Sequence, residues 1–158
     1  MKALVTVRRA RQQGRFDLLQ LLLDARDADS GEAMSDAEVV DEVMTLVVAG
    51  HETTASTLNW TWWLLATNPM VAMHVDEEQC AVGDLGHASY ADLIRLPYTR
   101  QVVDESMRLY PPGWLLTRRS VGPDTLGGHA VPAGTDVFIS PYLVHRHPRH
   151  WPLPGTFD

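Results

Sequence analysis

Cysteine is nearly absent from this chain: among 158 residues, Cys80 is the only thiol. An intramolecular disulfide is therefore excluded, and nothing points to an oxidising compartment. Long apolar runs are missing as well. The longest, residues 18–23 and 46–49, fall far short of the 18 or so needed to cross a bilayer. Lys2, Arg8, Arg9 and Arg11 near the N-terminus are not followed by a secretory-type apolar stretch, so a cytoplasmic protein with no membrane segment is expected. Positive charge is scarce: 13 basic against 20 acidic residues leave a net charge of −7. Such a chain repels phosphate backbones, which argues against nucleic-acid binding. Proline is withheld from most of the chain, nine of the ten lying at or after Pro97. Helix-favourable sequence therefore occupies residues 1–110, and turn- and strand-rich sequence occupies 111–158. With 45% hydrophobic and 21% charged residues the composition is that of a globular protein, and the length suits one domain, 1–158.

Residues 2–27 read as one or two helices interrupted near Gly14, and Asp29, Ser30 and Gly31 as a loop. Ser35-Asp36-Ala37-Glu38 matches a capping box. Val39, Val43, Leu46, Val47 and Gly50 follow at helical spacing, and the pattern continues to Thr67, where Asn68-Pro69 stops it. A helix of about 30 residues spans roughly 45 Å. Apolar on most faces, it is expected to be buried. Shorter helices are expected over 70–81 and from Pro97 to about Leu109, with a helical turn at 91–95 and a loop over 83–89. Turns are expected at Gly127-Gly128 and at Pro132-Ala133-Gly134, and a strand at 135–140. The last stretch, 141–158, shows nothing that caps or closes a fold. The fold class is mainly α with a small β region (α+β).

The middle of the long helix has an odd composition. Gly50 costs about 1 kcal/mol against alanine in a helix interior. Thr53 and Thr54 are β-branched, with hydroxyls able to bond back to carbonyls one turn earlier. Glu52 is a carboxylate where burial is expensive. Ala49 and Gly50 leave a flat patch open to a large planar group, beside which Thr53 offers a hydroxyl and Glu52 a proton source. A plain helix crossing with small residues for close packing fits the same spacing. The start of a zinc-protease signature at His51-Glu52 fails, because Ala55 stands where the second histidine belongs. Glu105 and Arg108 lie i, i+3 and can meet on one helix face. Arg100, Gln101 and Asp104 share that side, so an exposed pair contributing about 0.2–0.5 kcal/mol is the plain alternative. His145, His147 and His150 cluster near the end with His129 upstream, and are the remaining candidates for weak metal binding.

Three segments stand in order: Ala-Gly-His-Glu-Thr-Thr at 49–54; Leu-Pro-Tyr-Thr-Arg-Gln-Val-Val-Asp-Glu-Ser-Met-Arg-Leu-Tyr-Pro-Pro at 96–112; and Val131 through His145-Arg146 to Trp151. Together they resemble the cytochrome P450 superfamily of haem-thiolate monooxygenases, over about residues 16–158. The first resembles the oxygen-activating motif of the long central helix I. The second resembles helix K with its Glu-x-x-Arg motif, and the third the strands leading toward the haem loop. A partial fold of this family, helix I through helix K and the following strands, is the expectation.

The resemblance implies roles by residue. Ala49 and Gly50 would lie over the haem, and Glu52 and Thr53 would be the acid–alcohol pair that hands protons to dioxygen. Glu105 and Arg108 would be a buried structural ion pair. Arg118 would meet a haem propionate, with Arg119 as the adjacent candidate. Val47, Val48, Trp114, Leu115 and Leu116 would line the substrate pocket. Haem b (iron protoporphyrin IX), dioxygen, an organic small-molecule substrate and a flavoprotein or ferredoxin electron donor fed by NAD(P)H are the implied cofactor and partners. The family's Phe-x-x-Gly-x-x-x-Cys loop has no counterpart here, and Cys80 has no glycine-rich frame. The chain thus reads as an internal piece of such an enzyme, inactive alone and without a metal ligand of its own. The alternative is a non-catalytic helical remnant or interaction module that does not bind haem.

Overall fold

A computed structural model of the chain describes residues 1–11, 16–83, 86 and 89–158. The expected break near Gly14 lies outside the described residues, as does part of the loop expected over 83–89. The element order is α1 (Lys2–Arg11), α2 (Leu18–Asp24), α3 (Asp36–Thr67), α4 (Pro69–Val82), a 3-10 turn (Tyr90–Arg95), α5 (Pro97–Leu109), β1 (Leu116–Arg119), β2 (Asp124–Leu126), β3 (His129–Val131), β4 (Asp136–Ile139) and α6 (Pro141–Val144). The mainly helical class with a small β region is what the chain adopts. Two compact units divide it, Met1–Glu52 and Thr53–Asp158, and α3 begins in one and ends in the other.

In the first unit, α2 starts where Asp17 Oδ1 accepts from the Gln20 amide at 3.0 Å. Its Leu23 packs with Val5 of α1 and Val39 of α3 into a small core, flanked by Leu19, Leu22 and Met34. The capping box at the start of α3 forms as the sequence indicates. The Ser35 amide donates to Glu38 at 2.7 Å and the Glu38 amide to Ser35 Oγ at 3.3 Å.

In the second unit, Thr61 and Leu64 near the end of α3, Val75 of α4, and Val102, Ser106 and Leu109 of α5 are buried. Both α4 and α5 carry proline in the first turn, where its fixed φ suits a helix start and its missing N–H costs nothing. Two antiparallel ribbons follow. β1 pairs with β4, with Leu116 opposite Ile139 and Arg119 opposite Asp136. β2 pairs with β3 across Gly127-Gly128. Positive φ at both glycines, 55° and 84°, gives the twist that a two-residue hairpin needs.

Two expectations are corrected. The long helix has its full length, 32 residues, but most of it is not buried. Met44, Leu46, Val47, Val48, Leu58 and Trp62 are all exposed. A helix apolar on every side needs cover on every side. Within their own units, the described elements cover it around Val39 and around Thr61 and Leu64 only. The last stretch, in which nothing was expected to cap or close a fold, begins with a capped helical turn. Ser140 caps α6, its Oγ accepting from the Leu143 amide at 3.4 Å and donating to the Trp114 carbonyl at 3.1 Å. No helix among the described residues is long and apolar enough to cross a membrane.

Candidate functional site

The Glu105–Arg108 pair is the most heavily bonded point of the second unit. Helical spacing puts both on one face of α5, and their side chains are 14% and 7% exposed. Arg108 Nε and Nη2 donate to the two Glu105 carboxylate oxygens, each at 2.6 Å. Nη1 donates to the carbonyls of His145 at 2.8 Å and Pro154 at 2.9 Å, and Nη2 also to that of Thr156 at 2.8 Å. Trp151 presents its ring to the guanidinium, 4.7 Å from its centroid. The neighbouring Arg100–Asp104 pair is the solvated one, 3.7 Å apart with both side chains exposed. The plain alternative therefore describes Asp104 and not Glu105. An open groove of about 490 Å³ borders the pair, lined by Val71, Tyr98 and Trp151 among others.

The mid-helix motif is on α3. Val47, Val48, Ala49, Gly50 and Glu52 close the first unit, and Thr53 opens the second. All six are exposed. A Cβ placed on Gly50 would meet nothing within 4 Å, so the helix presents open backbone there. The Thr57 hydroxyl donates to the Thr53 carbonyl at 3.0 Å, and the Thr61 hydroxyl to that of Thr57 at 2.8 Å. These are the back-bonds expected of threonine inside a helix. The buried carboxylate expected at Glu52 is not found, because this stretch of α3 is uncovered.

Arg118 and Arg119 are successive residues of β1 and so project to opposite faces of the ribbon. Arg119 is taken: its Nε lies 3.0 Å from Asp136 Oδ1 across the ribbon. Arg118 donates to the carbonyl of Thr117 at 2.9 Å and has no carboxylate partner among the described residues. It borders a groove of about 480 Å³ with Val121, Leu126 and Val137. Trp114, Leu115 and Leu116, just before and at the start of this strand, are 60%, 37% and 41% exposed.

Four features escaped the sequence reading. Trp151 was legible only as part of a motif, not as the ring against Arg108. Trp60 stacks on Tyr110 with centroids 3.9 Å apart and planes 5° from parallel, and Trp63 meets both edge-on. Arg146 lies over Tyr142 at 4.0 Å and over Tyr110 at 5.4 Å, joining α6 to the end of α5. Glu78 of α4 accepts from the Tyr98 and Thr99 amides of α5. The signal for it was Leu96, an apolar residue where α5 needs a cap. No group of three or more His, Cys, Asp or Glu able to hold a metal occurs among the described residues, and Cys80 is exposed on α4.

The family model for cytochrome P450 matches residues 2–158. Cyclooctatin synthase of Streptomyces melanosporofaciens is 46% identical over 146 residues, covering 91% of this chain and 31% of that protein. Cyclooctat-9-en-7-ol 5-monooxygenase of the same organism is 42% identical over 142 residues, covering 90% and 31%. Among solved structures, the P450DA heme domain superposes with a TM-score of 0.86 at 30% identity, covering 99% of this chain and 35% of that one. The chain thus spans about a third of the length of the curated relatives it matches.

Proposed function

We propose that this chain, which belongs to the cytochrome P450 family, is the central part of a haem-dependent monooxygenase that inserts one oxygen atom of dioxygen into an organic substrate. Residues 1–158 then form one part of a larger haem domain, with electrons drawn from NAD(P)H through a separate flavoprotein or ferredoxin.

The open backbone at Gly50, followed in the same helix by Glu52 and Thr53, carries this reading. A planar macrocycle needs a helix face without side chains in its way, and Ala49 and Gly50 provide one. Haem b, when bound, supplies the iron chemistry that activates dioxygen. The chain's own residues supply the surroundings. Thr53 Oγ1 holds and passes on a proton, and Glu52, open to water, replenishes it. Arg118 fits a propionate, because a guanidinium binds a carboxylate in bidentate fashion and this one is not spent on an acid. Strand alternation and the Arg119–Asp136 pair favour it over its neighbour. Val47, Val48, Trp114, Leu115 and Leu116 offer apolar surface for an organic substrate. Cys80, exposed on α4 and outside any Phe-x-x-Gly-x-x-x-Cys sequence, does not fit an axial thiolate. The remaining two-thirds of the enzyme's length is its proposed source.

The test is Thr53→Ala in the longer reading frame, expressed and loaded with haem. Product formed per NAD(P)H should fall several-fold and hydrogen peroxide should rise, while haem content stays unchanged. Unchanged coupling would overturn the role given to Thr53. A longer frame that encodes no cysteine loop would overturn the monooxygenase reading itself.

A further inference from the structure

α5 has no cap of its own. Its N-cap position holds Leu96, which makes no side-chain capping bond, and Pro97 follows with no N–H to satisfy. The next two amides need acceptors, because the first turn of a helix has none inside the helix. Both are satisfied by one carboxylate from a different helix. Glu78 Oε1 accepts from the Tyr98 amide at 2.7 Å. Glu78 Oε2 accepts from the Thr99 amide at 2.8 Å and from its hydroxyl at 2.7 Å. A negative charge thus lies at the positive end of the α5 dipole. One turn earlier on α4, His74 Nδ1 is 3.5 Å from Tyr98 Oη, so the same two helices meet again beside the cap.

The far end of α5 is also fixed, by the bonds from Arg108 to the carbonyls of His145, Pro154 and Thr156. From Tyr98 to Arg108 the helix runs about 15 Å as a stiff rod. A shift along its axis at the cap reaches Arg108 undiminished, and hydrogen bonds of this length do not survive a shift of about 1 Å.

We propose that Glu78 is a positioning residue, which caps α5 from α4, fixes its axial position and so places Arg108 on the 145–156 segment. The proposal rests on hydrogen bonds within this chain and holds whatever reaction the enzyme performs.

Amide hydrogen exchange on the 158-residue chain tests it, in wild type, Glu78→Gln, Leu96→Ser and Glu78→Gln with Leu96→Ser. In Glu78→Gln the amides of Tyr98 and Thr99 should exchange faster by roughly five- to tenfold, the equivalent of a lost N-cap. The amides of His150, Trp151 and Thr156, whose acceptors are His147, His147 and Leu153, should accelerate with them. Serine at position 96 offers a local cap, so the double variant should recover protection at both ends. If Glu78→Gln leaves no folded chain, Thr99→Val removes one of the three bonds and should give a smaller change at the same two places, again relieved by Leu96→Ser. Faster exchange confined to residues 98 and 99 would overturn the proposal. So would a failure of Leu96→Ser to restore the 145–156 segment, which would make Glu78 a packing residue only.

Discussion

Arg108 has five guanidinium N–H groups, and every one is used: two on Glu105 and three on carbonyls from a segment 37 to 48 residues away. Lysine in its place has three donors on a point charge and cannot reproduce the fork. With the partner carboxylate 14% exposed, loss of the pairing leaves charge and carbonyls poorly satisfied. Arg108→Lys should therefore lower stability by about 2–4 kcal/mol, read as a shift of the urea midpoint. The change should be larger than for Arg100→Lys, whose partner Asp104 is open to water. Equal losses at the two positions would show that burial of the pair does not matter. The i, i+3 spacing of Glu105 and Arg108 was visible in the sequence. Spacing alone left an exposed pair equally open, and only the family resemblance implied burial, because the groups that cover the pair come from residues 145–156, beyond both β-ribbons in the chain.

At the scale of elements, the ends of helices were the most legible feature. Ser35 with Glu38, Asn68-Pro69 and Pro97 each act through a local mechanism, so α3, α4 and α5 begin and end within a residue or two of expectation. β1 was not read as a strand from its residues. Its four residues are all exposed and show no alternation, and its state comes from pairing with β4. α6 was missed although Ser140 and Pro141 are a sound cap and first residue. The capping box gives a pH prediction. The Glu38 carboxyl is held below its ordinary value of 4.5, first by the Ser35 amide and then by the Ser35 hydroxyl. A carboxyl lowered in the folded state adds stability that is complete above its unfolded value and is lost as pH falls through the folded one. Glu38→Gln keeps an acceptor for the Ser35 amide but does not titrate. The thermal midpoint of wild type should exceed that of the variant at pH 7, and the gap should narrow as pH falls below the carboxyl's ordinary value of 4.5. Circular dichroism at 222 nm measures both. A gap that stays constant with pH would show that charge at this cap contributes nothing.

For the molecule as a whole, the decisive fact is how little of α3 is covered. Hydrophobic periodicity tells which faces need a partner, not whether the partner is present, and this is why burial was misjudged while helix length was not. Within the second unit, Leu58 and Trp62 of α3 line an apolar groove of about 480 Å³ with Leu65, Val75 and Val102. Trp62 is 67% exposed at its edge. Exposed apolar surface, where it is contiguous, marks places on soluble proteins that bind something or aggregate. A tryptophan at such a place is worth about 1–2 kcal/mol to an association, or roughly tenfold in its midpoint. The 158-residue chain should accordingly associate as its concentration rises, with weight-average mass in sedimentation equilibrium climbing above 17.6 kDa. Trp62→Lys should move the midpoint roughly tenfold higher while leaving the far-ultraviolet spectrum unchanged, since the side chain is mostly exposed. Should the wild-type chain stay at monomer mass at every concentration, the uncovered face of α3 is not sticky enough to need a partner. Exposure of α3 is then no reason to place this chain in a larger domain.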